Sequence, residues 1–366
     1  MNELVNRVIE LAVQIQQIPA PTFEEQKRAE FVCSLFAREG LEGVTMDAAG
    51  NAYGRWKAGQ PTSARPLIVS AHLDTVFPAG TDLTVTRNPG QVYGPGIGDN
   101  SLGVAALPGL LWSLRERKFG PTGDIWFVAN VCEEGLGDLR GMKAVVERFG
   151  GDVQAYLVLE GLALGHVYHR AVGVKRYRVT AGTTGGHSWS DYGRPSAIHE
   201  LAKLVVQLSS LDLPSQPRTT MNVGKISGGT SVNVIASEAT IDLDLRSEGQ
   251  DTLAQLVSVA DKLIQNANRG DVRVDAQVIG HRPAGEISRY HPLVKLAEDC
   301  LRNLGVNPIL TSGSTDANVP LSKGYPAVVL GISTGGGAHT VHEFVNTGPV
   351  GLGMEQLAMF VERVWK

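Results

Sequence analysis

Four short apolar runs recur along this chain, and each leads into a histidine or a carboxylate. Residues 67–70 run into Ala71-His72-Leu73-Asp74, and residues 125–129 lead through Asn130, Val131 and Cys132 to Glu133-Glu134. Residues 155–159 end at Glu160-Gly161, and residues 326–332 precede Gly335-Gly336-Gly337-Ala338-His339. A short apolar run bounded by glycine and followed by a helical period predicts a buried parallel strand, a turn and a helix. Strands and helices that alternate in this way predict an α/β fold. In an open α/β sheet the carboxyl ends of the strands line one edge, where ligands bind, so these distant residues are expected to meet there. Adjacent Glu133 and Glu134 repel one another and lose hydration when buried; a cation relieves both costs. A solvated acidic turn is the competing account of that pair.

The chain has 366 residues, enough for two compact domains. A formal charge of −4 without a basic run argues against nucleic acid as the principal partner. Cys33, Cys132 and Cys300 are odd in number and far apart, so no disulfide framework is indicated. The N-terminal stretch carries charges at helical intervals and lacks the features of a signal peptide. No apolar run approaches the roughly 20 residues that span a membrane. A soluble cytoplasmic protein is expected.

Residues 1–40 predict two helices interrupted near Pro19 and Pro21, with Thr22 and Glu25 spaced as a capping box for the second. Gly94-Pro95-Gly96-Ile97-Gly98-Asp99-Asn100 opens a helix from Leu102. The pattern changes near residue 170, where residues 172–180 alternate apolar and polar positions. A β-α-β-β-α-β order follows to about residue 279 and predicts a small inserted antiparallel domain. The α/β pattern then resumes. The expected division is residues 1–170 and 282–366 for a discontinuous first domain and 171–281 for the insert.

Two histidines and several carboxylates suit zinc or a similar divalent ion, and they outnumber the ligands one tetrahedral ion can use. Two ions roughly 3.5–4 Å apart, bridged by a carboxylate and a water, are therefore plausible. Singly, a histidine after a strand is more often a structural hydrogen-bonding group, and Asp99 beside glycines would serve as a turn residue or cap. Other chemistries find no motif: His-Glu-x-x-His, the Gly-x-Ser-x-Gly elbow, the Rossmann fingerprint and the phosphate loop are all absent.

In order, Ser70-Ala71-His72-Leu73-Asp74, Gly94 to Asn100, Glu133-Glu134-Gly135, Glu160-Gly161 and Ala338-His339-Thr340-Val341-His342-Glu343-Phe344 run through most of the chain. This set resembles the cocatalytic zinc exopeptidases and amidohydrolases, the family of peptidase T, glutamate carboxypeptidase, aminoacylase-1 and succinyl-diaminopimelate desuccinylase. The resemblance implies a three-layer zinc-exopeptidase-like catalytic domain with an inserted ferredoxin-like lid and dimerisation domain. It implies that His72 and Glu160 hold one zinc and Glu134 and His339 the other, with Asp99 between them. His342 competes with His339, but the family spacing to Glu343 favours His339. Glu133 would be the general base, and Asp74 would orient the His72 ring. In the insert, His187 in Gly185-Gly186-His187-Ser188 would reach a partner subunit's site and stabilise the oxyanion. Asn233 and Arg246 would bind the substrate carboxylate or the transition state, and Ser314-Thr315-Asp316 resembles a loop near the substrate pocket. Asn100 and Ala236 depart from the common aspartate and proline; little loss is expected at Asn100, where the backbone is the main contributor.

The resemblance thus implies a two-zinc peptidase, with cobalt or manganese as alternatives, that cuts an amide bond near the terminus of a small peptide. Glutamate at position 160 is like carboxypeptidases and deacylases, whereas the segment 339–344 is like peptidase T. An N-acyl-amino-acid deacylase is the alternative enzyme. A catalytically silent metal-binding dimerisation protein is the non-enzyme alternative, and loss of Glu133 would mark it. The resemblance further implies a homodimer joined through the insert, while the charge and hydropathy pattern lead to the expectation of neither nucleic acid nor membrane as partner.

Overall fold

The computed structural model describes residues 2–366. They form two compact units, one running to Ala171 and resuming at Glu286–Lys366, the other Val172–Gly285. The second boundary falls beyond residue 281 because strand Arg273–Arg282 still pairs with strand Gly173–Gly182 in the second unit's sheet.

The first unit is built on a mixed sheet. Its centre is parallel: Leu67–His72 lies between Ile125–Asn130 and Ala155–Glu160, and Ala327–Gly331 pairs beyond Ala155–Glu160. These are the four apolar runs of the sequence. Strands Leu67–His72 and Ala327–Gly331 are buried along their whole length, which is why they read as continuous apolar stretches and not as alternation. The flanks are antiparallel, with Ala52–Trp56 on Ile125–Asn130 and His166–Ala171 on Ala327–Gly331. Helices Asn2–Gln16, Gly103–Glu116, Pro292–Asn303 and Val350–Arg363 pack in a chain against one another. Together with the strands they bury one large apolar core, in which Ile68, Val69, Leu110, Phe127, Leu157, Val329 and Phe360 are inaccessible to solvent.

The second unit is a four-stranded antiparallel sheet in the order Thr219–Gly228, Glu238–Ser247, Gly173–Gly182, Arg273–Arg282. Helices Ala197–Ser209 and Gln250–Asn266 pack on it. Strand Glu238–Ser247 alternates buried and half-buried positions, and Ile241, Leu243 and Leu245 meet Leu201, Leu204, Leu256 and Ile264 in a separate core. No helix among the described residues is long and apolar enough to cross a membrane.

The capping box does not form. The second helix, Gln26–Arg38, starts after Glu25 without a side-chain cap. The Thr22 hydroxyl instead donates to Asp74 Oδ2 at 2.9 Å, and Glu25 Oε1 accepts the Phe23 and Cys132 amides at 3.0 and 3.1 Å. The distant Asp74 takes the Thr22 hydroxyl, and Glu25 is shared between the nearby Phe23 amide and the distant Cys132 amide.

Candidate metal centre

Two strand ends, carrying His72 and Glu160, and three connecting segments, carrying Asp99, Glu134 and His339, bring five of the expected residues together. His72 is the last residue of its strand and is almost fully buried. Its Nε2 lies 3.2 Å from Asp99 Oδ1 and 3.8 Å from Glu160 Oε2. His339 Nε2 lies 3.0 Å from the other Asp99 oxygen, Oδ2, and 3.2 Å from Glu134 Oε1. Asp99 thus faces one imidazole with each oxygen. The ligand atoms of His72, Asp99 and Glu134 all lie within 4.8 Å of one another, a spacing that suits a metal ion. His342 is exposed, and its amide bonds to the nearby Thr340 hydroxyl.

His72 Nδ1 meets the main-chain carbonyl of Asp74 at 3.0 Å, with that residue's carboxylate at 3.6 Å. This partner fixes the ring and aims Nε2 at the acids. The Asp74 carboxylate, fully buried, accepts the Glu133 and Glu134 amides at 2.9 and 2.8 Å. It therefore ties the loop of the proposed base to the loop of the first histidine. Glu133 and Glu134 are both buried.

Two contributors were not assigned from sequence. Glu343, with no solvent exposure, accepts the Gly96, Gly98 and Asp99 amides at 3.1, 2.7 and 2.7 Å, so it cradles the turn that carries Asp99. Its fixed four-residue spacing from His339 was the available signal. The Asn100 side chain brackets Glu160: Nδ2 donates to the Leu159 carbonyl at 2.9 Å, and Oδ1 accepts the Gly161 amide at 2.8 Å. Asn100 therefore acts through its amide as well as its backbone, a correction to the expectation. The turn and the strand end approach so closely that a Cβ on Gly161 would lie 2.1 Å from the Gly98 carbonyl oxygen.

The electrostatics favour a cation. Burial alone would depress the His72 imidazole, but hydrogen bonds to Asp74 and Asp99 hold its pKa well above the ordinary value. Hydrogen bonds to Asp99 and Glu134 raise His339 to about 10. Burial would raise Asp99, yet the two imidazoles hold it far below the usual carboxylate range. Glu160 is pushed up, first by burial and then, against the pull of His72, by Asp99, Glu133 and Asp316. With neutral imidazoles, Asp99, Glu133, Glu134 and Glu160 form an excess of negative charge that divalent cations would neutralise. Imidazole nitrogen and carboxylate oxygen are the donors that zinc and related ions take. The residues present fit the implied pair.

His187, Asn233 and Arg246 belong to the second unit. His187 pairs with Val234 in a two-residue ladder, and the Asn233 carbonyl accepts the Ser188 amide at 3.0 Å, so these two share one loop cluster. His187 Nδ1 accepts the Trp189 and Ser190 amides at 3.2 and 3.3 Å, which leaves its proton on Nε2. Arg246 grips Asp244 with Nε and Nη2 at 2.8 and 3.0 Å. In the first unit, Asp316 is buried and accepts from Asn130 Nδ2 at 2.7 Å.

Among known proteins, a model described as peptidase family M20/M25/M40 matches residues 68–363. A peptidase M20 domain-containing protein of Sordaria macrospora is 27% identical over 242 residues, 58% of this chain. The match spans about half of that relative's length, 52%. The fold is similar to a crystal structure of a Staphylococcus aureus tripeptidase, with a TM-score of 0.84, 24% identity and coverage of 99% of this chain and 98% of that one. It is also similar to aminopeptidase PepT from Bacillus cereus, with a TM-score of 0.80, 22% identity and coverage of 99% of each chain.

Proposed function

The chain belongs to peptidase family M20/M25/M40, and from that premise we propose that it is a two-metal exopeptidase acting on small peptides. The observation that carries this reading is the division of Asp99 between two imidazoles, each of which also meets a second acid. His72 and Glu160 would hold one cation and His339 and Glu134 the other, with Asp99 available to both. Zinc is the proposed ion, with cobalt and manganese the alternatives. A bound cation pair would acidify a water and offset charge developing on the substrate carbonyl oxygen.

This chain's residues do the rest. Glu133 accepts the proton of the attacking water and returns it to the leaving amine; Asp74 holds its amide and so limits where the carboxylate swings. The second unit, residues 172–285, is the proposed lid and dimerisation domain. Within it, His187 of a second copy donates Nε2–H to the oxyanion, and its Nδ1 contacts set the tautomer that donation needs. Arg246 anchors the substrate carboxylate and Asn233 hydrogen-bonds nearby.

Metal analysis of the purified protein, followed by chelation and readdition of zinc, tests the metal requirement. Tripeptides, blocked dipeptides and N-acetyl amino acids define the substrate class. The proposal expects turnover of free tripeptides or dipeptides that chelation abolishes and zinc restores. Full activity after chelation would overturn it, and turnover of N-acetyl amino acids alone would replace the peptidase with a deacylase.

A further inference from the structure

The turn before the second helix carries the Thr22–Glu25 pair that fails to cap it, and several of its polar groups reach out of the turn. The Thr75 amide donates to the Ala20 carbonyl at 2.9 Å, and Pro21 bridges Thr75 in parallel register. Thr22 Oγ donates to Asp74 Oδ2 at 2.9 Å, and Glu25 Oε1 takes the Cys132 amide at 3.1 Å. Arg28, buried at the start of the helix, donates Nη1 to the Leu73 carbonyl at 2.7 Å. Its Nε and Nη2 turn back to the Ile18 carbonyl at 3.0 and 2.6 Å. A buried guanidinium is costly unless its donors are satisfied and its charge is answered. Here main-chain carbonyls satisfy the donors, while Asp74 and Glu25 supply the opposite charge.

These contacts converge on two short segments, 72–75 and 132–134. Asp74 links them, because it receives Thr22 from one side and the Glu133 and Glu134 amides from the other. Asp74 has no freedom to move without breaking a buried hydrogen bond, and Cys132, next to Glu133, is fixed independently by Glu25. A buried acceptor or donor left unmatched is costly, so these contacts resist displacement.

The geometry points to Thr22 and Glu25 as positioning residues for the proposed hydrolysis: they fix where Glu133 and Glu134 stand relative to His72. The turn acts as a strap across the base of the metal centre. The inference rests on the reading of Glu133 as base and Glu134 as ligand. Neither Thr22 nor Glu25 touches substrate or metal in this account.

The test uses the full chain loaded with zinc and, separately, with cobalt as a spectroscopic probe. Thr22→Val and Glu25→Leu remove the hydrogen bonds; Thr22→Ser and Glu25→Gln keep an oxygen for each. Outer contacts of this kind are worth about 10- to 100-fold in activity or metal affinity. Thr22→Val and Glu25→Leu are expected to lose kcat on that scale at full metal content, with KM within twofold of the parent. Their cobalt absorption bands should shift, while Thr22→Ser and Glu25→Gln keep the parent's kcat and bands. If the Val and Leu variants melt earlier yet keep kcat within twofold, the strap is merely structural and the proposal is overturned. Thr22 is only partly buried, so its Val variant serves if Glu25→Leu does not fold. Glu133→Gln in the parent separates the two readings. If it keeps turnover, the assignment of the base fails; if it loses turnover while Thr22→Val does not, only the strap fails.

Discussion

Each site residue is held by a contact that makes one chemical role natural. Glu133 is buried, and its amide is pinned to Asp74 while its neighbour Glu134 faces His339. Removing its charge should therefore spare the metals and stop proton transfer: Glu133→Gln is expected to bind two metals per chain and lose about 10²–10⁴ in kcat, read by metal analysis beside steady-state kinetics. Asn100 makes an equally specific prediction. A carboxylate in its place cannot donate to the Leu159 carbonyl, so Asn100→Asp sets an anion against a buried oxygen. It should cost about 1–3 kcal/mol of stability, seen in urea unfolding, and weaken metal binding where Glu160 contributes. The choice of His339 over His342 rests on the family's spacing to Glu343, and His339 Nε2 lies 3.0 Å from Asp99 and 3.2 Å from Glu134. The roles of Glu25 and Asn100 were not legible in the sequence, because their partners lie 107 and 59–61 residues away and no local pattern encodes them.

Among the elements, the four parallel strands could be read because each is a continuous apolar run with a polar residue soon after its end. The edge strand Glu42–Met46 and its neighbour Ala52–Trp56 escaped notice; the first is largely exposed and carries no clear alternation. The strand Glu238–Ser247 falls within the inserted β-α-β-β-α-β order, yet its ion pairs carry no local signal. Asp244 lies between Arg246 and Arg176, at 2.8 and 3.1 Å. Burial alone would raise its pKa, but hydrogen bonds from both guanidinium groups bring it below the ordinary 3.8. A depressed folded-state pKa contributes stability that is present above the unfolded value and lost as pH falls through the folded one. Asp244→Asn should therefore lower the melting temperature at pH 7, by the equivalent of about 1 kcal/mol or less for partly exposed pairs. That deficit should shrink as the pH is taken below 3.8. A deficit unchanged between pH 7 and pH 3 would show that charge pairing at Asp244 contributes nothing.

For the whole molecule, the proposed role of the second unit as lid and dimerisation domain is tested by mixing subunits. A His187→Ala chain and a His339→Ala chain are each expected to be nearly inactive. Co-refolded, they should regain part of the parent's turnover if a metal centre in one copy uses His187 of another. Absence of rescue in verified mixed dimers would confine each site to one chain. Under all of this lies the proposal that His72, His339 and their acids hold two cations across Asp99. Anomalous diffraction from zinc-loaded crystals tests it directly. The account predicts two peaks roughly 3.5–4 Å apart, flanking Asp99, one beside His72 and Glu160 and the other beside His339 and Glu134. A single peak, or peaks away from Asp99, would contradict it.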